Sequence, residues 1–347
     1  MVAVNPHPIS NNSNIEDFPF DYKLQQHFPN VSETEMEYNF DYDKLIADLN
    51  LNNRTKFPFF GFPFISSVFL QRHIFRSISD HVWGYRYNDL KVENVKCGDI
   101  IFVKTDYIKE FLLDYHPKIK SPYVLLTHES DYGVGYPWQL KILEDPKIIK
   151  WFAQNTLAFH PKLVPLPLGV VPPAGNVHQT LYDLARNVTP YANKTQLLYL
   201  NFSPKTNKNR VKTLIYFQQT FGNNSLVKIN QKRSTWKEYL ENIKNSQFVL
   251  SPPGNGIDCI RTWEAIIFGS IPIVKRSYLM PLYDKLPVMV VRDWHEVTEE
   301  SMKKFQQDNL NPNTFSKDGL PWRPSIWLRY WIKEIVGTKL NYVKNHC

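Results

Sequence analysis

At 347 residues, with 43% hydrophobic and 21% charged side chains, the chain has the composition of a folded globular protein long enough for two domains, which excludes a disordered or fibrous chain. The net charge of +8 is uneven, because residues 1–50 carry nine acids and two bases (net −7), leaving 24 acids and 39 bases (net +15) on the rest. A basic body favours anionic ligands such as phosphates, nucleotides or acidic glycans. No zinc-finger spacing, RNA-binding signature or basic heptad is present, so nucleic acid is not the expected partner.

In chain order, residues 1–50 form an acidic, Asn-rich leader, and "KFPFFGFP" (56–63) reads as a hydrophobic anchor onto the domain, in preference to a surface loop that plugs a groove. From residue 97 an alternation begins. "DIIFVK" (99–104) is a strand, "TDYIKEFLLDYH" (105–116) has helical spacing, and "YVLLTHESD" (123–131) is a strand running into polar residues. "DPKIIKWFAQN" (145–155) is expected as a helix capped by Asp145, followed by a strand "TLAF" and by "LVPLPLGV". A softer stretch, 171–196, separates this from a second alternation. Strands "LLYLNF", "LVKIN", "FVLSPPG", "IPIVK" and "PVMVV" interleave there with helices "RVKTLIYFQQTF", "STWKEYLENIKN", "DCIRTWEAIIFG" and "VTEESMKKFQQ". Strands alternating with helices of this length predict parallel, doubly wound sheets, hence two Rossmann-like lobes facing each other. The aromatic amphipathic tail "WRPSIWLRYWIKEIVG" (322–337) is expected to pack back across the lobes. The predicted division is a leader (1–50), a first lobe (51–190), a second lobe (191–320) and a C-terminal helix (321–347).

The three cysteines, Cys97, Cys259 and Cys347, are odd in number and widely spaced, predicting neither a disulfide framework nor a metal cluster. No apolar run approaches the ~20 residues that span a bilayer, and the opening "MVAVNPHPISNNSNIEDF" has no signal-peptide core. The expectation is a soluble cytoplasmic protein without a transmembrane segment, with a secretory lumen entering only if the chain is truncated. Seven Asn-X-Ser/Thr sequons, including those at Asn193 and Asn223, then read as chance matches.

In open α/β sheets ligands bind beyond the carboxyl ends of strands. The loop 251–256, "SPPGNG", feeds a helix whose free amides would form an anion site. There Gly254 and Gly256 would admit a phosphate, with Ser251, Asn255 and Thr262 nearby. Arg261 offers a planar fork for a diphosphate and Glu264 an acceptor for ribose hydroxyls. The bland alternative is a turn shaped by glycines plus an i, i+3 Arg–Glu pair. A second loop, "SPKTNKNR" (203–210), gathers Lys205, Lys208 and Arg210 at another helix start, as an anion site or a solvated charge run. In the first lobe, "THESDYGVG" (127–135) ends a strand with His128, Glu129 and Asp131 before an aromatic-flanked loop. Each is a candidate general base, although Asp131 could equally cap a turn. His160 reads as a lobe-shaping residue.

"FVLSPPGNGIDCIRTWEAIIFGSIPIV" (248–274) resembles the signature of exostosin-like glycosyltransferases, glycosyltransferase family 47 and relatives: strand, P-G, short loop, R-x-x-E-A, then G-x-I-P-(I/V)-V. "LLTHESD", "PLPLGV" and "LYLNFSPKTNKNR" resemble segments of small exostosin-related enzymes, so the likeness covers roughly 97–295. The resemblance implies a GT-B fold, an acceptor-side first lobe and a nucleotide-sugar donor held by the second, with inversion at the anomeric carbon. Carried onto this chain, Glu264 holds the ribose, Arg261 and Arg210 the diphosphate, and the 254–256 backbone lines the donor pocket. The family pattern leaves the base unassigned, with Asp131 first, then Glu129 and His128. The reading implied is an inverting hexosyl- or pentosyltransferase. Its partners are a nucleotide sugar, UDP-linked ahead of GDP-linked, and a glycan or glycoconjugate acceptor. No metal or other cofactor is required. The alternatives are a GT-B fucosyltransferase-like enzyme of another family, or a non-catalytic glycan- or nucleic-acid-binding protein.

Overall fold

A computed structural model describes residues 75–76, 78–84, 88–170, 188–230, 234–284, 286–310, 326 and 328–347. The acidic leader, the 56–63 anchor and residues 171–187 of the softer connector lie outside the described residues.

Buried parallel strands need both faces covered, so they read as apolar runs, and among the described residues ten strands, most of them such runs, form two sheets. The first comprises β1 (His81–Trp83), β2 (Asp99–Lys104), β3 (Tyr123–His128), β4 (Ile148–Gln154) and β5 (Leu163–Leu166), parallel and in sequence order. The second comprises β6 (Gln196–Leu200), β7 (Val227–Ile229), β8 (Ser246–Leu250), β9 (Ile271–Lys275) and β10 (Met289–Val291). It is also parallel, in the order β10-β9-β8-β6-β7. The principal helices are α1 (Pro137–Leu143), α2 (Lys208–Phe221), α3 (Trp236–Lys244), α4 (Ile260–Ile267), α5 (Glu299–Asn309) and α6 (Leu328–His346), and the stretch expected as helical after β2 is helical from Ile108 to Tyr115. Local chemistry starts several of them: Asn207 caps α2, and Thr235 caps α3 with Glu238 completing a capping box. The two α/β lobes expected from sequence are therefore present.

Alternation along each strand decides what covers each face. In the first sheet Ile100, Phe102, Val124 and Leu126 pack with Trp331, Ile332 and Ile335 of α6, whereas Ile101, Val103 and Leu125 pack with Phe111, Leu112 and Leu143. Consecutive strand order with right-handed crossovers puts the connections on one face. The other face is left to α6, which packs against β2, β3 and β4. That core continues into the second lobe through Tyr199, Val249, Trp263 and Ile266. The tail helix thus returns from the second lobe to the first, as expected.

Three expectations are corrected. Residues 148–154 form strand β4, not a helix, because Ile148, Trp151 and Phe152 are buried on opposite faces of the sheet. Asp145 starts no helix; its carboxylate accepts from the Lys147 amide (2.8 Å) and pairs with His116 (3.3 Å). Cys97 and Cys347 form a disulfide (Cα–Cα 6.1 Å) that ties the end of α6 to the entrance of β2. Proximity in the fold, not sequence spacing, makes that bond. Gly98 beside it has φ +83°, and a Cβ there would lie 2.4 Å from Val343 Cγ2 of α6. Among the described residues no helix is long and apolar enough to cross a membrane.

Candidate functional site

In chain order the second sheet runs second-first-third-fourth-fifth. The chain leaves β6 for β7 through α2, whose Phe217 and Phe221 pack with Leu198 and Leu200 on one face. It returns to β8, on the other side of β6, through α3, whose Leu240 and Ile243 pack with Tyr199 and Val249 on the opposite face. The connections after β6 and β8 therefore diverge, opening the crevice where α/β sheets of this order take ligands. The two loops singled out from sequence, after Phe202 and after Leu250, are the ones that flank it.

Within this crevice the two arginines differ. Arg210 is buried, and its whole guanidinium is engaged. Nε donates to Pro253 O (2.8 Å), Nη1 to Ser203 O (3.2 Å) and Thr206 Oγ1 (2.7 Å), and Nη2 to Pro252 O (2.8 Å) and Cys259 Sγ (3.6 Å). Arg210 therefore ties the two loops together and has no donor left for a diphosphate, which corrects the role expected of it. Arg261 lies with its guanidinium carbon 5.7 Å from the centre of the Phe202 ring, and makes no hydrogen bond or ion pair among the described residues. Its Nε is buried without an acceptor. An unsatisfied cationic donor of this kind is costly unless a ligand supplies the acceptor.

Glu264 sits one turn along α4, buried, with Oε2 accepting from Tyr239 Oη at 2.6 Å. Burial raises its pKa, opposed by the Tyr239 hydrogen bond and the Arg261 charge. Tyr199 completes the cluster, its hydroxyl accepting from Asn201 Nδ2 (2.7 Å). Phe202, Tyr239 and Tyr199 were missed from sequence, since each is indistinguishable there from a core aromatic. Ser251 and Thr262 pair with each other (2.9 Å), and Lys205 is exposed on a short turn beside Arg210.

The glycines and the helix start also have unexpected roles. A Cβ on Gly254 would meet Arg210 Nη2 at 3.1 Å, and one on Gly256 would meet Asn155 Nδ2 at 2.7 Å. Their bareness admits the Arg210 and Asn155 side chains. Asp258 occupies the helix start: its carboxylate accepts from the Cys259 amide (2.8 Å), from Trp263 Nε1 and, across the lobes, from the Leu168 amide (2.6 Å). Burial pushes its pKa up to about 6, tempered by those donors. Asp258 thus satisfies the amide of Cys259, just before α4, and the Trp263 indole within it.

The lobes meet through the carboxyl ends of both sheets. Asn155, in the left-handed region (φ 54°), accepts from the Asp258 amide (2.9 Å) and donates to Ser130 O and Asp131 O (3.4 Å each). Asn255 Nδ2 donates to Asp131 Oδ2 at 3.3 Å. Of the three candidate bases, His128 is 1% exposed beneath Phe75, hydrogen-bonded at Nε2 to Pro167 O, and burial pushes its pKa down to about 4. Glu129 is locked to Arg76 (2.7 Å), its side chain 3% exposed. Asp131 alone is an exposed carboxylate facing the second lobe. His160 pairs with Glu144 away from this edge (3.0 Å), consistent with a shaping role. A groove of about 400 Å³ between β4 and α6, lined by Lys150, Glu334 and Tyr342, opens near Ile149 at the start of β4. That is the strand end opposite these loops.

Residues 212–314 match the family described as the RXYLT1 C-terminal domain, an exostosin-like xylosyltransferase family related to glycosyltransferase family 47. No curated protein sequence matches the chain. A GtfA/B complex crystal structure aligns over 73% of this chain and 58% of its own, at 9% identity and a TM-score of 0.32. The α,α-trehalose-phosphate synthase (UDP-forming) of Burkholderia vietnamiensis aligns over 87% and 77%, at 10% identity and a TM-score of 0.32. The chain thus spans little more than half of the GtfA/B chain, and likenesses this distant decide nothing about activity. Residues 212–314, which contain Arg261, Glu264 and Tyr239, carry the C-terminal domain signature of this exostosin-like family, and the resemblance borne by 248–274 holds.

Proposed function

We propose that the protein is an inverting glycosyltransferase that moves a sugar from a nucleotide-diphosphate donor to a glycan hydroxyl. The observation that carries this reading is the unpaired Arg261 guanidinium beside Glu264 at the switch point of the second sheet, within a segment of glycosyltransferase family. Arg261 takes the diphosphate, whose leaving charge it neutralises, and Glu264, oriented by Tyr239, accepts from the ribose. Lys205 adds a mobile positive charge at the rim.

Asp131 is the proposed base. The acceptor oxygen attacks the anomeric carbon as the bond to the diphosphate oxygen breaks, and its proton passes to Asp131. A single in-line displacement inverts that carbon. With Arg261 supplying the positive charge, no metal is required, and UDP is proposed ahead of GDP. Calorimetry with UDP and GDP tests the donor assignment: Arg261→Ala should weaken binding, and unchanged affinity would remove Arg261 from the site.

The Cys97–Cys347 bond supports an oxidising compartment over the cytoplasmic one expected from sequence. In that setting the exposed sequons at Asn193 and Asn223 become glycosylation acceptors. Thiol counting on protein from its native source tests this: one free cysteine supports it, and three would return the protein to a reducing compartment.

A further inference from the structure

The strongly exposed aromatic rings among the described residues fall within one short stretch. Tyr132 is 48% exposed, Tyr136 41% and Trp138 37%, whereas the other exposed large apolar side chains, such as Leu113, Val211 and Leu340, are scattered aliphatics. None of the three rings has a ring or cation partner among the described residues. Single exposed apolar side chains need no explanation, but a cluster of aromatics left in water marks a binding surface.

The stretch is firmly held. Val134 donates to Asn155 O (3.1 Å) and accepts from the Leu157 amide (2.7 Å), and the Gly135 and Tyr136 amides both donate to Gln139 Oε1 (2.7 and 3.0 Å). A Cβ on Gly133 would lie 2.7 Å from the Leu157 side chain. The rings therefore stand on a rigid base, which lowers the entropy lost on binding. They also begin directly after Asp131, whose carboxylate meets Asn255 of the 251–256 loop. The aromatic stretch and the candidate base thus share one strand end.

We propose that Tyr132, Tyr136 and Trp138 form the acceptor platform and take an uncharged pyranose ring. This rests on the glycosyltransferase reading above. A pyranose presents a face of polarised C–H bonds, which matches the negative face of an aromatic ring, and leaves its hydroxyls free toward the base. Charge decides the class of sugar. Between Ser130 and Gln139 the only charged residue is Asp131, so the stretch itself offers a uronic acid or sulfated sugar repulsion and no cation of its own.

The test compares full-length wild type, the double variant Tyr132→Ala/Trp138→Ala and the conservative Trp138→Phe. Each is applied to an array of neutral, uronic-acid-bearing and sulfated oligosaccharides, with UDP and GDP calorimetry and thermal melting in parallel. Wild type should bind neutral pyranose oligosaccharides. The double variant should lose about tenfold or more in affinity, and Trp138→Phe should retain most of it, with melting and nucleotide affinity unchanged. Preference for acidic glycans, no glycan binding, or neutral-glycan binding that survives the double substitution would overturn the platform. Failure of wild type to bind either nucleotide would instead overturn the transferase reading, so the two failures are separable.

Discussion

Arg210 and Arg261 reach the same crevice, yet they should fail in different ways when cut back to alanine. Arg210→Ala removes five hydrogen bonds that hold Pro252, Pro253, Ser203, Thr206 and Cys259 in place. Bonds to a charged group contribute about 1.5–3 kcal/mol each when broken singly, but these share one rigid fork and are not additive. A loss of about 3 kcal/mol is the reasonable scale. With unfolding entropy growing at about 2.1 cal/mol/K per residue, a chain of 347 residues should then melt roughly 4 °C lower. Arg261→Ala forfeits its contact with the Phe202 ring, about 0.5–1 kcal/mol, and its charge beside Glu264, while relieving an unsatisfied Nε, and should melt within roughly 1 °C of wild type. Its effect should appear in nucleotide binding, where losing a charge-assisted pair costs about 2–3 kcal/mol, roughly a 30- to 150-fold rise in Kd for UDP. Calorimetry and scanning calorimetry on the same preparations separate the two. A stable Arg210 variant with lost nucleotide affinity, beside an unstable Arg261 variant, would refute the division of labour.

Asp131→Asn should keep nucleotide affinity while transfer falls by about 10²- to 10⁴-fold, measured as nucleoside diphosphate release; normal turnover would move the base elsewhere. His128 is buried neutral, so its pKa of about 4 lies below the unfolded value of 6.5. The unfolded chain then binds the extra proton first. Stability from His128 is present above pH 6.5 and is lost as pH falls toward 4, by about 3 kcal/mol. Stabilities from urea melts of wild type and His128→Gln should diverge by that amount between pH 6.5 and 4, and parallel pH curves would count against a buried neutral imidazole. Reducing the Cys97–Cys347 bond, which closes 250 residues of sequence, should cost about 2–5 kcal/mol, read as a drop in melting temperature with dithiothreitol. Gly256→Ala should loosen the lobe junction by about 1–3 kcal/mol, because its methyl would meet Asn155 at 2.7 Å.

The second lobe was largely legible because its strands are apolar β-branched runs and its helices announce themselves with caps such as Thr235 and Thr298. β4 was not, since a strand buried on both faces is apolar throughout, and "IIKWFAQ" carries no period that separates it from a buried helix. β1, three residues long, gave no pattern at all. At the site, strand–loop–helix order located the two loops, and Arg261 and Glu264 stand at the crevice they flank. The division between a tying Arg210 and an unpaired Arg261 depends on where each fork finds carbonyls, which local spacing does not encode. Asn155, reaching Gly256 and Asp258 from the other lobe, and Cys97, meeting Cys347, are likewise products of tertiary approach.

The proposed reaction cleaves a nucleotide sugar between these lobes. The most direct measurement is nucleoside diphosphate release by wild type, Arg261→Ala and Asp131→Asn from a panel of UDP- and GDP-linked sugars, with and without glycan acceptors. Wild type should release nucleoside diphosphate from at least one donor, faster with an acceptor, and both variants should lose that release. No release from any donor, or release indifferent to Arg261 and Asp131, would contradict that reaction.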